Sequence, residues 1–138
     1  LACILCFPPW QKKGYGKFLI SVSYELTKRE GRTGSPEKPL SDLGQISYKS
    51  YWSYVLIKFL LDYMKEMDEQ PTMGTLERGT GIAKDDIIYT MQQLQLLKEF
   101  KHEYILAIEK SECEALQKQA RQMRLCVPEF LNWEPAEK

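Results

Sequence analysis

The sequence predicts an α/β fold, in which a short strand and a glycine loop lead into helices and a helical, winged-helix-like segment follows. The chain of 138 residues opens with the apolar run 1–7, which is typical of a buried strand. A loop containing Gly14 and Gly16 comes next and leads directly into a pattern of helical period. Because a single strand must pair with a neighbour, we expect earlier strands of a larger domain upstream of Leu1.

The N-terminal half divides into a loop, a helix, a turn-rich stretch and a longer helix. The loop covers residues 8–16, and the first helix covers 16–30, with an apolar stripe of Phe18, Leu19, Val22 and Leu26. Residues 31–45 are rich in glycine and proline, so we expect turns there. The long helix runs from about Ser47 to Met67, and its apolar face comprises Tyr51, Val55, Leu56, Phe59, Leu60 and Tyr63.

The C-terminal half is predicted to be mainly helical. Its elements are a helix at 72–80, a helix at 84–97, a strand at 104–108, a helix at 111–124 and a terminal segment at 128–133 that packs or drapes over the body. The helix at 84–97 turns inward its apolar residues Ile87, Met91, Leu94 and Leu97. The helix pair and the strand resemble a helix-turn-helix with a wing. However, the second helix begins with Asp85 and Asp86 and carries no basic face, which favours a structural or protein-docking role over DNA reading.

Charge and hydropathy exclude two classes of protein. Nineteen basic residues balance nineteen acidic ones, whereas a protein that binds nucleic acid through its overall charge is clearly basic. The longest apolar run is interrupted by Lys58 and Asp62, so the sequence predicts no membrane span, and no signal peptide is visible. Neither direct DNA reading nor membrane association is therefore expected.

The four cysteines give weak support to a metal site. Cys3 and Cys6 have the spacing of half a zinc site or of a redox pair. On a strand, however, residues three apart point to opposite faces, so both thiols do not easily grip one ion. Reduced thiols in a cytosolic or nuclear protein are the simpler interpretation.

The glycine loop is the strongest indication of chemistry. Glycines let the backbone curl so that successive N–H groups face one concavity, and a helix N-terminus adds further donors and partial positive charge. Three lysines, Lys12, Lys13 and Lys17, flank Gly14 and Gly16. The pattern therefore favours a site for phosphate or pyrophosphate, with a plain tight turn as the alternative.

Two further residues have both a chemical and an ordinary interpretation. Glu37 lies between Pro36 and Pro39, and a carboxylate on so rigid a loop suits a general base. From spacing alone, an exposed loop glutamate is the simpler interpretation. Cys3 is either a nucleophile beside the phosphate loop or a small apolar core residue.

Four stretches, in their order and spacing, resemble the catalytic domain of MYST-type histone acetyltransferases. They lie at residues 2–5, 11–17, 34–44 and 47–52. The most specific is the string Ser-Pro-Glu-Lys-Pro-Leu-Ser-Asp-Leu-Gly at 35–44, whereas the glycine signature is shared with other acetyltransferases. The similarity continues more weakly to Trp133 and so covers nearly the whole chain.

This resemblance implies a GNAT-like acetyl-CoA-binding core, of which residues 1–70 form the second half, and a winged-helix-like segment of the same catalytic domain at 71–138. It implies acetyl-CoA as cosubstrate. The residues around the coenzyme pyrophosphate would be Lys12, Lys13, Gly14, Tyr15, Gly16 and Lys17. The strand residues along the pantetheine arm would be Ile4, Leu5 and Cys6, with further coenzyme contacts from Ser41, Ser50 and Arg124.

By the same resemblance, Glu37 matches the general base and Cys3 the active-site cysteine. The implied activity is acetyl transfer from acetyl-CoA to a lysine of a histone tail, by a nuclear protein acting with subunits of a chromatin-modifying complex. The family's zinc finger is absent from these residues, so zinc is expected only in an N-terminal finger outside the sequence. The alternative function is a non-catalytic, protein-docking fragment of a chromatin complex.

Overall fold

The computed structural model of the protein describes residues 1–100, 103–106, 108–120 and 122–136. Within these ranges the chain forms five α-helices and one antiparallel hairpin, with short 3-10 turns at Pro8–Trp10 and Pro128–Phe130. The helices are α1 (Tyr15–Arg29), α2 (Asp42–Met67), α3 (Met73–Thr80), α4 (Lys84–Gln93) and α5 (Lys110–Gln119), and the strands are β1 (Leu97–Phe100) and β2 (Glu103–Leu106). No described helix is both long and apolar enough for a membrane span.

The predicted α/β, GNAT-like fold is wrong for this chain, because the described residues are mostly helical. Residues 1–7 form no strand, and their apolar side chains are poorly covered: Leu5 is 77% and Phe7 is 67% exposed. A strand needs a neighbouring strand to pair its backbone N–H and C=O groups. In the described part of the chain the only sheet is the β1–β2 hairpin, in which Leu97 lies opposite Leu106.

Helix α2 is the centre of the fold and packs against α1, α3, α4 and α5. It begins earlier than predicted, because the hydroxyl of Ser41 accepts a hydrogen bond from the N–H of Gly44 and so caps the helix at Asp42. Its buried residues are Tyr48, Tyr51, Trp52, Leu56, Ile57, Leu60 and Leu61. The predicted positions Tyr51, Leu56 and Leu60 are thus confirmed, whereas Val55, Phe59 and Tyr63 are only partly buried.

Helix α1 confirms the predicted span but not the predicted inner face. Its buried residues are Ile20, Ser21 and Tyr24, while Phe18 and Leu19 are exposed. The Tyr24 hydroxyl accepts a hydrogen bond of 2.8 Å from the indole N–H of Trp52, and the Tyr24 ring stacks on Tyr51 at 5.3 Å. The helix therefore has apolar residues on two sides, and the aromatic side faces α2.

The C-terminal elements are shorter than predicted. Helix α4 ends at Gln93 because the chain then turns through Gln95, whose φ is +60°, into β1. The predicted strand 104–108 becomes β2 one residue earlier, with residue 107 outside the described ranges. Helix α5 stops at Gln119, and the irregular segment beyond it is fixed to α1 by a 2.7 Å hydrogen bond from the Cys126 N–H to the Ser21 hydroxyl.

The terminal segment lies against the end of α1. The guanidinium of Arg29 donates hydrogen bonds to the carbonyls of Pro128, at 2.7 Å, and of Trp133. One side chain therefore holds two points of the chain about a hundred residues further on, with sequence separations of 99 and 104. These contacts hold residues 128–133 against α1, but Phe130 is 85% exposed, so the segment drapes over the helix end without burying its apolar side chains there.

Candidate active site

The glycine loop forms the N-terminus of α1. Gly14 is the N-cap residue, with a φ of +86° that only glycine adopts without strain. The first helical hydrogen bond joins the Phe18 N–H to the Gly14 carbonyl at 3.1 Å, so helix geometry leaves the N–H groups of residues 15–17 free to bind a ligand. A Cβ added at Gly14 or Gly16 would meet no described atom within 4 Å. The space in front of these donors is open, which suits an anion at a helix N-terminus.

The three predicted lysines surround this loop in different ways. Lys17 lies on the first turn of α1, and its ammonium donates a 3.1 Å hydrogen bond to the Ser50 hydroxyl. The Lys13 ammonium lies 5.0 Å from the centre of the Trp10 ring. Lys12 has a φ of +60° at the bend of the loop. The structure thus brings together Lys17 and Ser50, two residues that the resemblance assigned separately to the coenzyme.

The predicted pantetheine residues lie in an irregular segment. Ile4 and Cys6 are partly buried and Leu5 is exposed. The Cys6 carbonyl accepts a 2.9 Å hydrogen bond from the side-chain amide of Gln11, which ties the segment to the glycine loop. The active-site candidate Cys3 is exposed. The segment expected to form a strand therefore lies next to the glycine loop, but it is irregular.

The loop that carries Glu37 is held by three consecutive residues. Gly34 forms a parallel bridge with Ile82: its N–H donates to the Gly81 carbonyl at 2.7 Å, and its carbonyl accepts from the Ala83 N–H at 3.0 Å. The Ser35 hydroxyl donates a 2.6 Å hydrogen bond to the carboxylate of Asp86, and Pro36 is buried. Glu37 follows and is exposed. The result is an exposed carboxylate at the end of an anchored segment.

Asp86 is the residue of this site that sequence reasoning missed. The sequence predicts only its place at the start of the helix, whereas the structure buries it, with 5% of the residue exposed. Burial raises the pKa values of Tyr24 and Tyr48, and the nearby Asp86 carboxylate raises both pKa values further. The local pattern, an aspartate at the third position of a helix whose N-cap Ala83 has no side-chain oxygen, indicates a place at the helix start but not burial.

Two cavities border the Glu37 loop. A small one of about 60 Å³ is lined by Ser35 and Pro36 together with Leu1, so the first residue lies beside this loop. A groove of about 460 Å³ lies on the other side, lined by Lys38 and Pro39 of the loop together with Trp52, Asp86 and Tyr89. Among the described residues, no group of three or more possible metal ligands comes together.

The remaining predicted residues have structural positions of different kinds. The Ser41 hydroxyl is the cap of α2 and accepts its hydrogen bond at 3.1 Å, which leaves its own proton available to donate. Arg124 is exposed in the irregular segment after α5, next to Leu125, which packs on the core. Neither position contradicts a coenzyme contact, and both assignments stay predictions.

Comparison with known proteins gives a consistent family. The MOZ/SAS family matches residues 1–130. A histone acetyltransferase Tip60 homolog of Caenorhabditis elegans is 44% identical over 99% of this chain and 31% of its own length. Histone acetyltransferase MOF of Drosophila melanogaster is 44% identical over 98% of the chain and 16% of its own length. Histone acetyltransferase of the MYST family 1 of Arabidopsis thaliana is 47% identical over 77% of the chain and 23% of its own length.

The chain therefore spans less than a third of each of these relatives. Within that span the match includes the glycine loop, the Glu37 loop and the helices that hold them. By this match over nearly all of its residues, the chain belongs to the MOZ/SAS family.

Proposed function

We propose that this chain is the coenzyme-binding and base-carrying part of a lysine acetyltransferase that modifies histones. The observation that carries the proposal is the exposed Glu37 carboxylate at the end of a segment fixed by Gly34, Ser35 and Pro36. Family membership and relatives that are named histone acetyltransferases support the substrate class.

Acetyl-CoA is the proposed cosubstrate, and its pyrophosphate suits the start of α1. The open space in front of Gly14 and Gly16, the unpaired N–H groups of residues 15–17 and the Lys17 ammonium all favour a phosphate anion. Lys12, Lys13 and Tyr15 are exposed around the same loop and add charge and a hydrogen-bonding hydroxyl. The Lys17 ammonium donates to the Ser50 hydroxyl, which supports a contact of Ser50 with the same group.

Glu37 is the proposed general base. A lysine ammonium has no lone pair and does not attack a thioester, so one proton must leave before reaction. Glu37 accepts that proton, directly or through water. The neutral amine then forms a C–N bond with the acetyl carbon while the C–S bond breaks, and the coenzyme leaves as its thiol after taking up a proton. The exposed Cys3 lies two residues after Leu1, which lines the small cavity beside the loop, and it either shapes the pocket or carries the acetyl group in transit.

The wider setting is proposed from the relatives. Proteins named histone acetyltransferases act on histones, so a histone tail is the proposed substrate of the full-length protein, with the nucleus as its location. Association with subunits of a chromatin-modifying complex is proposed on the same ground.

The decisive experiment replaces Glu37 in the full-length protein. Glu37→Gln keeps the size and hydrogen bonding of the side chain but does not take up a proton near neutral pH. We expect turnover at pH 7 to fall about 10²–10⁴-fold while acetyl-CoA binding stays intact. Glu114→Gln, at an exposed position on α5, is the matched control. Unchanged turnover in Glu37→Gln, with loss of turnover in Cys3→Ser, would transfer the central role to Cys3.

A further inference from the structure

The Glu37 loop and the start of helix α4 are joined by hydrogen bonds. A helix leaves its first N–H groups without partners, and a polar N-cap side chain normally accepts from one of them. Helix α4 has Ala83 at its N-cap and no side-chain cap. The Asp86 N–H donates to the Ala83 carbonyl at 3.0 Å, and the N–H of Ala83 itself donates to the carbonyl of Gly34 at 3.0 Å, so the start of α4 is joined to the loop through its backbone.

The carboxylate of Asp86 makes a second contact between α4 and the loop, this time through side chains. It lies in the first turn of α4, where the positive end of the helix dipole favours a negative charge. It is almost completely buried, and it accepts the Ser35 hydroxyl proton at 2.6 Å. A hydrogen bond to an ionised group is short and strong, and a buried charge depends on its partner. The pair Ser35–Asp86 is therefore a specific contact across a sequence separation of 51 residues.

We infer that Asp86, acting through Ser35, is a positioning residue for Glu37 in acetyl transfer; this rests on the proposed role of Glu37 as the base. Ser35 precedes Glu37 by two residues, so the chain spans at most roughly 7 Å between their Cα atoms. Pro36, buried between them, removes backbone freedom at the intervening position. A displacement of the serine is thus passed to the carboxylate, and a shift of about 1 Å at a reacting group reduces turnover on the order of 10²-fold.

The experiment is a double-mutant cycle in the full-length protein, with turnover and the KM for acetyl-CoA measured separately. Ser35→Ala removes the donor, Asp86→Ala removes the acceptor, and a third variant carries both changes. We expect each single variant to lower kcat by about 10–100-fold with the KM for acetyl-CoA unchanged. The double variant should lose no more than either single one, because both remove the same contact.

Conservative variants separate positioning from a general loss of structure. Ser35→Thr keeps the hydroxyl and Asp86→Asn keeps an acceptor oxygen, so both should recover most of the lost kcat. Thr90→Val is the structural control: it removes the buried hydroxyl that donates to the Asp86 backbone carbonyl, on the same helix, without touching the loop. It should lower the melting temperature while leaving kcat near that of the unmodified protein.

The outcomes are distinguishable. Multiplicative losses in the double variant, or a kcat in Thr90→Val as low as in Ser35→Ala, would overturn the positioning role while leaving Glu37 as the base. Full activity of Glu37→Gln in the same assay would reject the base itself, and with it the reason for positioning.

Discussion

The ammonium of Lys17 lies 3.1 Å from the hydroxyl of Ser50 and joins the first turn of α1 to α2. The contact fixes a positive charge beside the open helix N-terminus that begins at Gly14. If a phosphate binds at this helix start as proposed, the ammonium is already held and the side chain loses little freedom when the ligand arrives.

Removal of this charge should weaken coenzyme binding. Lys17→Met keeps much of the apolar stem but has no charge, and we expect acetyl-CoA affinity to fall roughly tenfold, which is about 1.4 kcal/mol. Ser50→Ala should cost less, because the ammonium remains. Isothermal titration calorimetry on the full-length protein measures both, with Lys65→Met, at an exposed position near the end of α2, as the control. Equal affinities for all three variants would contradict a coenzyme site at this turn.

The two glycines of the loop should respond differently to substitution. Gly14→Ala places a side chain on a residue with a φ of +86° and should lower the free energy of unfolding by about 1–2 kcal/mol. Gly16 lies in the helix, and the methyl group of Gly16→Ala would project into open space. This variant should therefore raise the free energy of unfolding by about 0.5–1 kcal/mol. Urea unfolding followed by circular dichroism measures both changes.

A larger side chain at Gly16 tests binding rather than folding. Valine would project into the open space in front of the helix N-terminus and should reduce acetyl-CoA affinity by an order of magnitude or more, about 1.4 kcal/mol. Calorimetric affinity equal to that of Gly16→Ala would place the coenzyme elsewhere.

The core of α2 should dominate stability. Leu56 is fully buried, and Leu56→Ala should lower the free energy of unfolding by about 2–5 kcal/mol through lost burial and a residual cavity. Leu43, on the same helix, is 74% exposed, so Leu43→Ala serves as the matched control and should change stability by less than about 0.5 kcal/mol. Comparable effects at both positions would contradict the observed packing of α2.

Alkaline pH should destabilise the fold through its buried tyrosines. Burial raises the pKa values of Tyr24 and Tyr51 far above the usual value of a phenol, so both stay neutral in the folded state while the unfolded chain ionises near pH ~10. Their contribution is complete below that pH and is lost as the pH rises towards the raised pKa values. Urea midpoints measured between pH 8 and pH 11 should fall above pH ~10, and a flat profile would contradict neutral burial.

The sequence predicts what depends on neighbouring residues better than what depends on distant ones. The helical spans around Leu26 and Leu60 follow from local periodicity and agree with α1 and α2. The prediction of a strand at 1–7 is wrong, because a strand must pair with another strand and the described residues supply none for it. The predicted inner face of α1 is wrong, because both sides of that helix carry apolar residues. Only the packing of Tyr24 on Tyr51 determines which side is buried.

The candidate site divides in the same way. The glycine loop and the anchored Glu37 segment are visible as motifs, and their helix and turn positions agree with expectation. The burial of Asp86 was not predictable from its neighbours, since it depends on a hydroxyl supplied by Ser35 from far along the chain. Contacts between residues distant in sequence determine how a motif is oriented in the fold, and the sequence pattern of the motif does not reveal them.

The hydrogen bonds from Arg29 to the carbonyls of Pro128 and Trp133 have a practical consequence for protein production. An expressed fragment that stops before Pro128 leaves this guanidinium without either acceptor and uncovers the end of α1. A boundary beyond Trp133 keeps both carbonyls. Protease digestion should reflect the same dependence: cleavage after Arg29 should be slow while the terminal segment is attached and fast once it has been removed.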